Sequence, residues 1–220
     1  LYPPKDSFVT KISEADTQSL LDKFNRAHAE SREADSRLDA RIKSYELAAR
    51  MQLSAPEALD ISGEPDHIMR LYGLDHNVKT WPKEINEIEE IDYFSRKCVV
   101  ARRLLERGVR FVQIWSGNDN SFPRRNWDSH EDLPRDHGYW GRVLDGGASA
   151  LLKDLKSHGL LDETLVICTS EFGRQPAAQG DRALGRDHNA GAFTAWLAGG
   201  GIKGGISYGA TDELGWKATE

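Results

Sequence analysis

The chain has no run approaching the ~20 apolar residues that cross a bilayer, so no membrane span is expected. Positive charge is also short: 29 Lys and Arg stand against 35 Asp and Glu, a formal net charge of −6. The basic residues are scattered, with only short pairs such as Arg102-Arg103 and Arg124-Arg125. They make no basic face, and a nucleic-acid partner is not expected. Cysteine is limited to Cys98, in an expected helix, and Cys168, near the end of an expected strand. Both read as buried free thiols; a disulfide between them stays open, and neither identifies a compartment. The chain starts Leu1-Tyr2-Pro3-Pro4 with neither initiator Met nor signal peptide, and stops at Thr219-Glu220 just after a glycine-rich turn. It therefore reads as an internal piece of a longer protein, truncated at both ends.

What is present is enough for one packed domain with a helical appendage: 220 residues of ordinary globular composition. The pattern changes near residue 108. Residues 1–108 are mostly helical. One amphipathic helix starts at Ala15 to about Phe24, and Leu38, Ile42, Tyr45 and Ala49 continue helical spacing to about Leu53, where Pro56 punctuates it. A short helix over 65–72 ends at Gly73, and a longer one over 91–107 stops at Gly108. Residues 109–220 alternate strands and helices. Val109–Trp115, Thr164–Cys168 and Phe193–Leu197 have the β-branched and aromatic content of buried strands, with an amphipathic helix over 143–158. Strand–helix–strand units imply parallel strands with helices on the sheet faces.

Two polar loops, 116–138 and 170–190, interrupt this region. Loops that long are commonly functional, and ligands in open α/β sheets sit beyond strand carboxyl ends. The first loop carries Trp127-Asp128-Ser129-His130 and then His137. The second carries Ser170-Glu171-Phe172-Gly173-Arg174 and later Gly185-Arg186-Asp187-His188. Carboxylates with neutral imidazoles are a ligand set for Zn²⁺, Mn²⁺ or a related divalent ion. Each residue also has a plainer reading: Asp128 as a cap or turn residue, His137 and His188 as surface histidines, Glu171 as a partner for Arg174 or Arg186. Their joint placement after successive strands is what points to a metal. The Gly199–Gly205 run lacks the Walker pattern and reads as a tight turn between strands.

At these residues the chain resembles the bacterial family called domain of unknown function 1501, whose members are often described as sulfatases within the alkaline phosphatase-like superfamily. The resemblance rests on ERGVRFVQIW, NWDSH, ALLKDLKSHGLLDETLVICTSEFGR and GRDHNAGAFTAWLAGGGIKGG, with a helical lead-in over 44–73. It implies a three-layer α/β/α sandwich with a divalent metal (Zn, Mn, Ca or Mg) at the carboxyl edge of its sheet. Asp128, His130, Glu171, Asp187 and His188 match metal positions, Arg174 matches a clamp for the oxyanion, and His137 matches either a further ligand or a contact to the ester oxygens. The implied activity of the parent protein is hydrolysis of a sulfate or phosphate ester, on a small molecule or polysaccharide, in the periplasm or outside the cell. Two departures matter. Better-known superfamily members carry Asp-His-Gly where this chain has Glu171-Phe172-Gly173, and no nucleophile is identifiable, so the piece alone is expected to be inactive. The alternative is a non-catalytic metal-binding or cell-envelope protein of the same fold.

Overall fold

In a computed structural model of the chain, the described residues are 11–30, 32, 36–75, 87–117, 126–181 and 184–219. They form two compact units, Leu1–Asp60 and Ile61–Glu220. The division falls well before residue 108, because the helix preceding that point packs into the second unit.

The first unit holds α1 (Lys11–Glu30) and α2 (Ser36–Leu59). Both run beyond the stretches marked by apolar spacing. The expected break at Pro56 does not occur: proline removes only its own N–H, and the last turn continues with Asp60 N–H on the Pro56 carbonyl at 3.0 Å.

The second unit holds α3 (Asp66–Leu71), α4 (Glu87–Glu106), α5 (Leu133–Ser157), β1 (Leu165–Cys168), β2 (Gly173–Arg174), β3 (His188–Asn189) and β4 (Trp196–Gly199). Its core is the α4–α5 interface and the segment around α3. Phe94, Cys98 and Val99 of α4 are buried in one cluster with Trp140, Val143, Leu151 and Leu155 of α5 and with Ile68, Tyr72 and Leu74. The helices approach closely at Gly147, where a Cβ would lie 2.6 Å from the Phe94 ring. Both cysteines are free; Cys98 is buried, while Cys168 is only half-buried, short of the burial expected for it. Burial pushes the Cys98 thiol up to about 12, which leaves it inert.

A buried ion cluster crosses the same interface. Asp154, fully buried on α5, accepts from Tyr72 Oη at 2.9 Å and from Arg102 Nε at 3.0 Å. Arg102 also pairs with Glu64 and with Glu106, and Arg103 shares Glu64. Burial would raise the Glu64 carboxyl, but hydrogen bonds from Arg103 and Arg102 hold it below the usual range.

The structure starts α5 ten residues before the expected Val143. Asp132 caps it by accepting the Arg135 N–H at 3.1 Å, and Pro134 sits in the first turn. Gly138 and Gly141 disguise this stretch as loop, yet Asp136 and Trp140 within it are fully buried.

The strands differ from a run of parallel units. β1 pairs antiparallel with β4, Leu165 opposite Gly199 and Cys168 opposite Trp196. Parallel pairing needs a crossover, usually helical, and only a second antiparallel ribbon, β2–β3, lies between β1 and β4. The third expected strand is displaced to Trp196–Gly199. At its end Gly199 has φ +73° and lies so close to the Thr164 and Leu161 carbonyls that no Cβ fits. Val109–Trp115, expected as a strand, has no ladder partner among the described residues.

Candidate metal centre

Three segments of the second unit meet at one polar cluster: the loop 126–132, β2 and β3. In the loop, side chains alternate. Ser129 is fully buried and its Oγ donates to Asp136 Oδ2 at 2.6 Å, while Asp128 and His130 on either side turn the other way, toward β3. Asp136, which also accepts from Arg135 Nε at 2.8 Å, ties the loop to the first turn of α5. Buried Asn126 adds a second anchor, its Oδ1 accepting the Asp128 N–H at 2.8 Å.

The opposite wall is the β2–β3 ribbon, whose register sets Arg174 directly across from His188. The next residue, Asn189, faces inward: its Oδ1 accepts the Gly191 N–H at 3.0 Å and its Nδ2 donates to the Gly215 carbonyl at 3.3 Å. Residues 184–186 lie along the loop, with Leu133 N–H on the Leu184 carbonyl at 3.1 Å and Arg186 N–H on that of Ser129 at 3.5 Å. This contact requires glycine at 185, because a Cβ there would overlap the His130 carbonyl.

The result brings together Asp128, His130 and His188, each offering one donor atom to a common point. His188 Nε2 lies 2.7 Å and His130 Nε2 2.9 Å from Asp128 Oδ1, and the two imidazole nitrogens are 3.1 Å apart. Burial would raise the Asp128 carboxyl. Hydrogen bonds from Arg174 and His188 and the nearby charges of His130 and Arg174 outweigh this and hold it well below the ordinary carboxylate range.

The other expected residues lie around the trio in different ways. Arg174 Nη2 donates to Asp128 Oδ1 at 2.6 Å and to the Trp127 carbonyl at 3.0 Å, while Nη1 donates to the Arg186 carbonyl at 3.2 Å. Its guanidinium thus laces the three segments together. His137, on α5, donates from Nε2 to the Trp127 carbonyl at 2.8 Å and meets the Trp127 ring edge-on. Asp187 Oδ1 accepts the His188 N–H at 2.8 Å and stands 3.9 Å from His130 Nδ1. Glu171 is exposed on the turn after β1 and falls outside the group of converging donors. Phe172 lies against the cluster, its ring centroid 4.2 Å from that of His188. Two participants carry no motif that sequence reasoning could have used: Gln179, whose Oε1 is 2.8 Å from His130 Nδ1, and the Ser129–Asp136 pair. For the pair, the Asp132-x-Pro134 helix start was the available signal.

A family model described as "Protein of unknown function (DUF1501)" matches residues 3–220. The chain belongs to this family. No curated protein and no solved structure matches it.

The donor set of this DUF1501 chain fits a divalent cation. Ligand atoms bound tetrahedrally at zinc distances stand roughly 3.3 Å from one another. The three donor atoms here are 2.7, 2.9 and 3.1 Å apart, so a spread of a few tenths of an ångström admits an ion. One carboxylate oxygen and two imidazole nitrogens suit Zn²⁺ or Mn²⁺ better than the all-oxygen shells of Ca²⁺ or Mg²⁺.

Proposed function

We propose that Asp128, His130 and His188 hold a divalent metal, and that the centre serves hydrolysis of a sulfate or phosphate ester. The observation that carries this reading is the convergence, on a half-exposed point, of one carboxylate oxygen and one imidazole nitrogen from the Asp128-x-His130 loop with a second imidazole nitrogen from His188, some 60 residues on. A carboxylate oxygen beside two imidazole nitrogens is a donor set that a divalent cation can join. A bound metal would polarise the ester oxygens and stabilise charge developing on them.

The chain's own residues would do the remaining work. Arg174 keeps Asp128 ionised and aimed, and a guanidinium so close to the donor atoms suits a tetrahedral oxyanion arriving beside them. Ser129 holds the loop through Asp136. Ser170 Oγ donates to the Phe172 carbonyl at 2.7 Å, so neither hydroxyl is aimed at the trio as a nucleophile. The superfamily resemblance supports the ester class, the three-layer sandwich as the fold of the whole, and export from the cytoplasm as part of the same proposal.

Phe172 favours a second reading, a metal-binding protein without turnover, because an apolar ring covers one side of His188. Elemental analysis of the purified full-length protein, with and without added zinc or manganese, tests the metal; aryl sulfate and aryl phosphate esters test turnover. Stoichiometric metal that His130→Ala removes, together with hydrolysis, is the expected result. Metal without hydrolysis selects the second reading, and wild-type protein that takes up no metal overturns both.

A further inference from the structure

We infer that Gln179 is the positioning residue of the centre, its side-chain oxygen accepting from His130 Nδ1 and so aiming His130 Nε2 at Asp128 and His188. This deepens the metal reading above, but its proton logic stands on geometry alone.

His130 Nε2 faces the other ligand atoms of the trio, with Asp128 Oδ1 2.9 Å away. Arg174 Nη1, which can only donate, is 3.4 Å away, and His188 Nε2 is 3.1 Å away. His188 Nε2 lies 2.7 Å from the same carboxylate oxygen, so both imidazoles turn Nε2 toward Asp128. What fixes the orientation of the His130 ring is therefore its other nitrogen, Nδ1. The group 2.8 Å from Nδ1 is the Gln179 side-chain oxygen, which accepts. The arrangement has the form in which ligating histidines are commonly oriented, one ring nitrogen toward the ion and the other donating to a fixed oxygen.

Gln179 is itself held by the main chain. Its N–H donates to the Gly185 carbonyl at 3.1 Å, and Gly185 packs directly on the His130 backbone. The residue that orients His130 is therefore fastened beside it and moves with it.

Two substitutions separate the roles open to Gln179. Gln179→Glu keeps an oxygen acceptor; Gln179→Met keeps length and bulk but removes it. Zinc titration of wild type and both variants should show Glu binding at least as tightly as wild type and Met weaker by about 10-fold or more. Met equal to wild type would make Gln179 a packing residue, and Glu as weak as Met would make its amide a donor; either overturns the inference. Imidazole nitrogen NMR supplies the readout that does not need metal. Wild type and Gln179→Glu should show a slowly exchanging proton on His130 Nδ1, lost in Gln179→Met. A wild-type protein that binds no zinc would defeat the metal reading alone, while an unprotonated Nδ1 in wild type would defeat the assignment of Gln179.

Discussion

Arg102 and Arg174 stand at the centres of two polar clusters made from nearly the same residue types, each with a carboxylate, a neighbouring histidine and a guanidinium. Around Arg102 the members are sealed between α4, α5 and the segment near α3, and Asp154 at the centre is fully buried. Its carboxylates are shared among cations of the protein itself: Arg102 serves Asp154, Glu64 and Glu106, and Arg103 also serves Glu64. Around Arg174 one oxygen, Asp128 Oδ1, takes Arg174 and both imidazoles at 2.9 Å or less, and the His188 side chain is 43% exposed. The first cluster is closed on itself and holds helices together. The second leaves several donor atoms competing for one place that solvent can reach. That asymmetry, rather than the residue types, distinguishes the fold-holding cluster from the proposed metal centre.

Substitutions on each side sharpen the contrast. Arg102→Met takes the guanidinium from the fully buried Asp154 and leaves Glu64 to Arg103 alone, and should cost about 3–5 kcal/mol of unfolding free energy in urea titration. A loss below ~1 kcal/mol would mean that the cluster does not hold the helices. Gly185→Ala drives a methyl into the His130 carbonyl and should cost about 1–3 kcal/mol, with zinc affinity falling as well. Unchanged zinc affinity in a folded Gly185→Ala protein would show that the loop contact does not set the centre.

Asp128→Asn comes next. Because the folded Asp128 carboxyl is held below its unfolded value, its ionised form stabilises the fold fully above the unfolded pKa of about 3.9. This contribution is lost as pH falls through the folded value. The stability gap between wild type and Asp128→Asn should therefore be constant near neutrality and close only in strong acid; a gap that opened in acid would contradict the sign. The smallest stability effect belongs to His188→Ala, within ~0.5 kcal/mol as for an exposed side chain. Its metal content should nevertheless collapse, by more than the roughly 10–100-fold typical of an outer partner. Large destabilisation with intact metal binding would invert the comparison.

Much of the helical half was legible. Apolar spacing placed α4 closely, and Gly73, Gly108 and Gly159 mark helix ends with φ of +69°, +82° and +69°. The first turns of α5 were not, because Gly138 and Gly141 break the apolar period and the evidence of burial lies in tertiary packing of Asp136 and Trp140. Strand pairing was the weakest point. TLVIC reads as a strand by composition, but direction depends on what the intervening chain does, and the described residues between β1 and β4 form a ribbon instead of a crossover helix. At the centre, Asp128, His130 and His188 were visible because Asp-x-His and Asp-His concentrate ligand types. Glu171 had the same chemical credentials; only geometry separates it from the trio. The Arg102 cluster was invisible, since a helical Arg-Arg pair and a lone Asp154 read as solvated charges.

The close approach at Gly185 has a consequence for how such a centre can change. Gly185 is mated to His130 through main-chain atoms with no side chain between them, so the spacing of the two histidine-bearing segments is written in the backbone. Side chains around the rim, Phe172 and Asp187 among them, can be exchanged without altering that spacing. New chemistry can then be tried on a frame that stays in place.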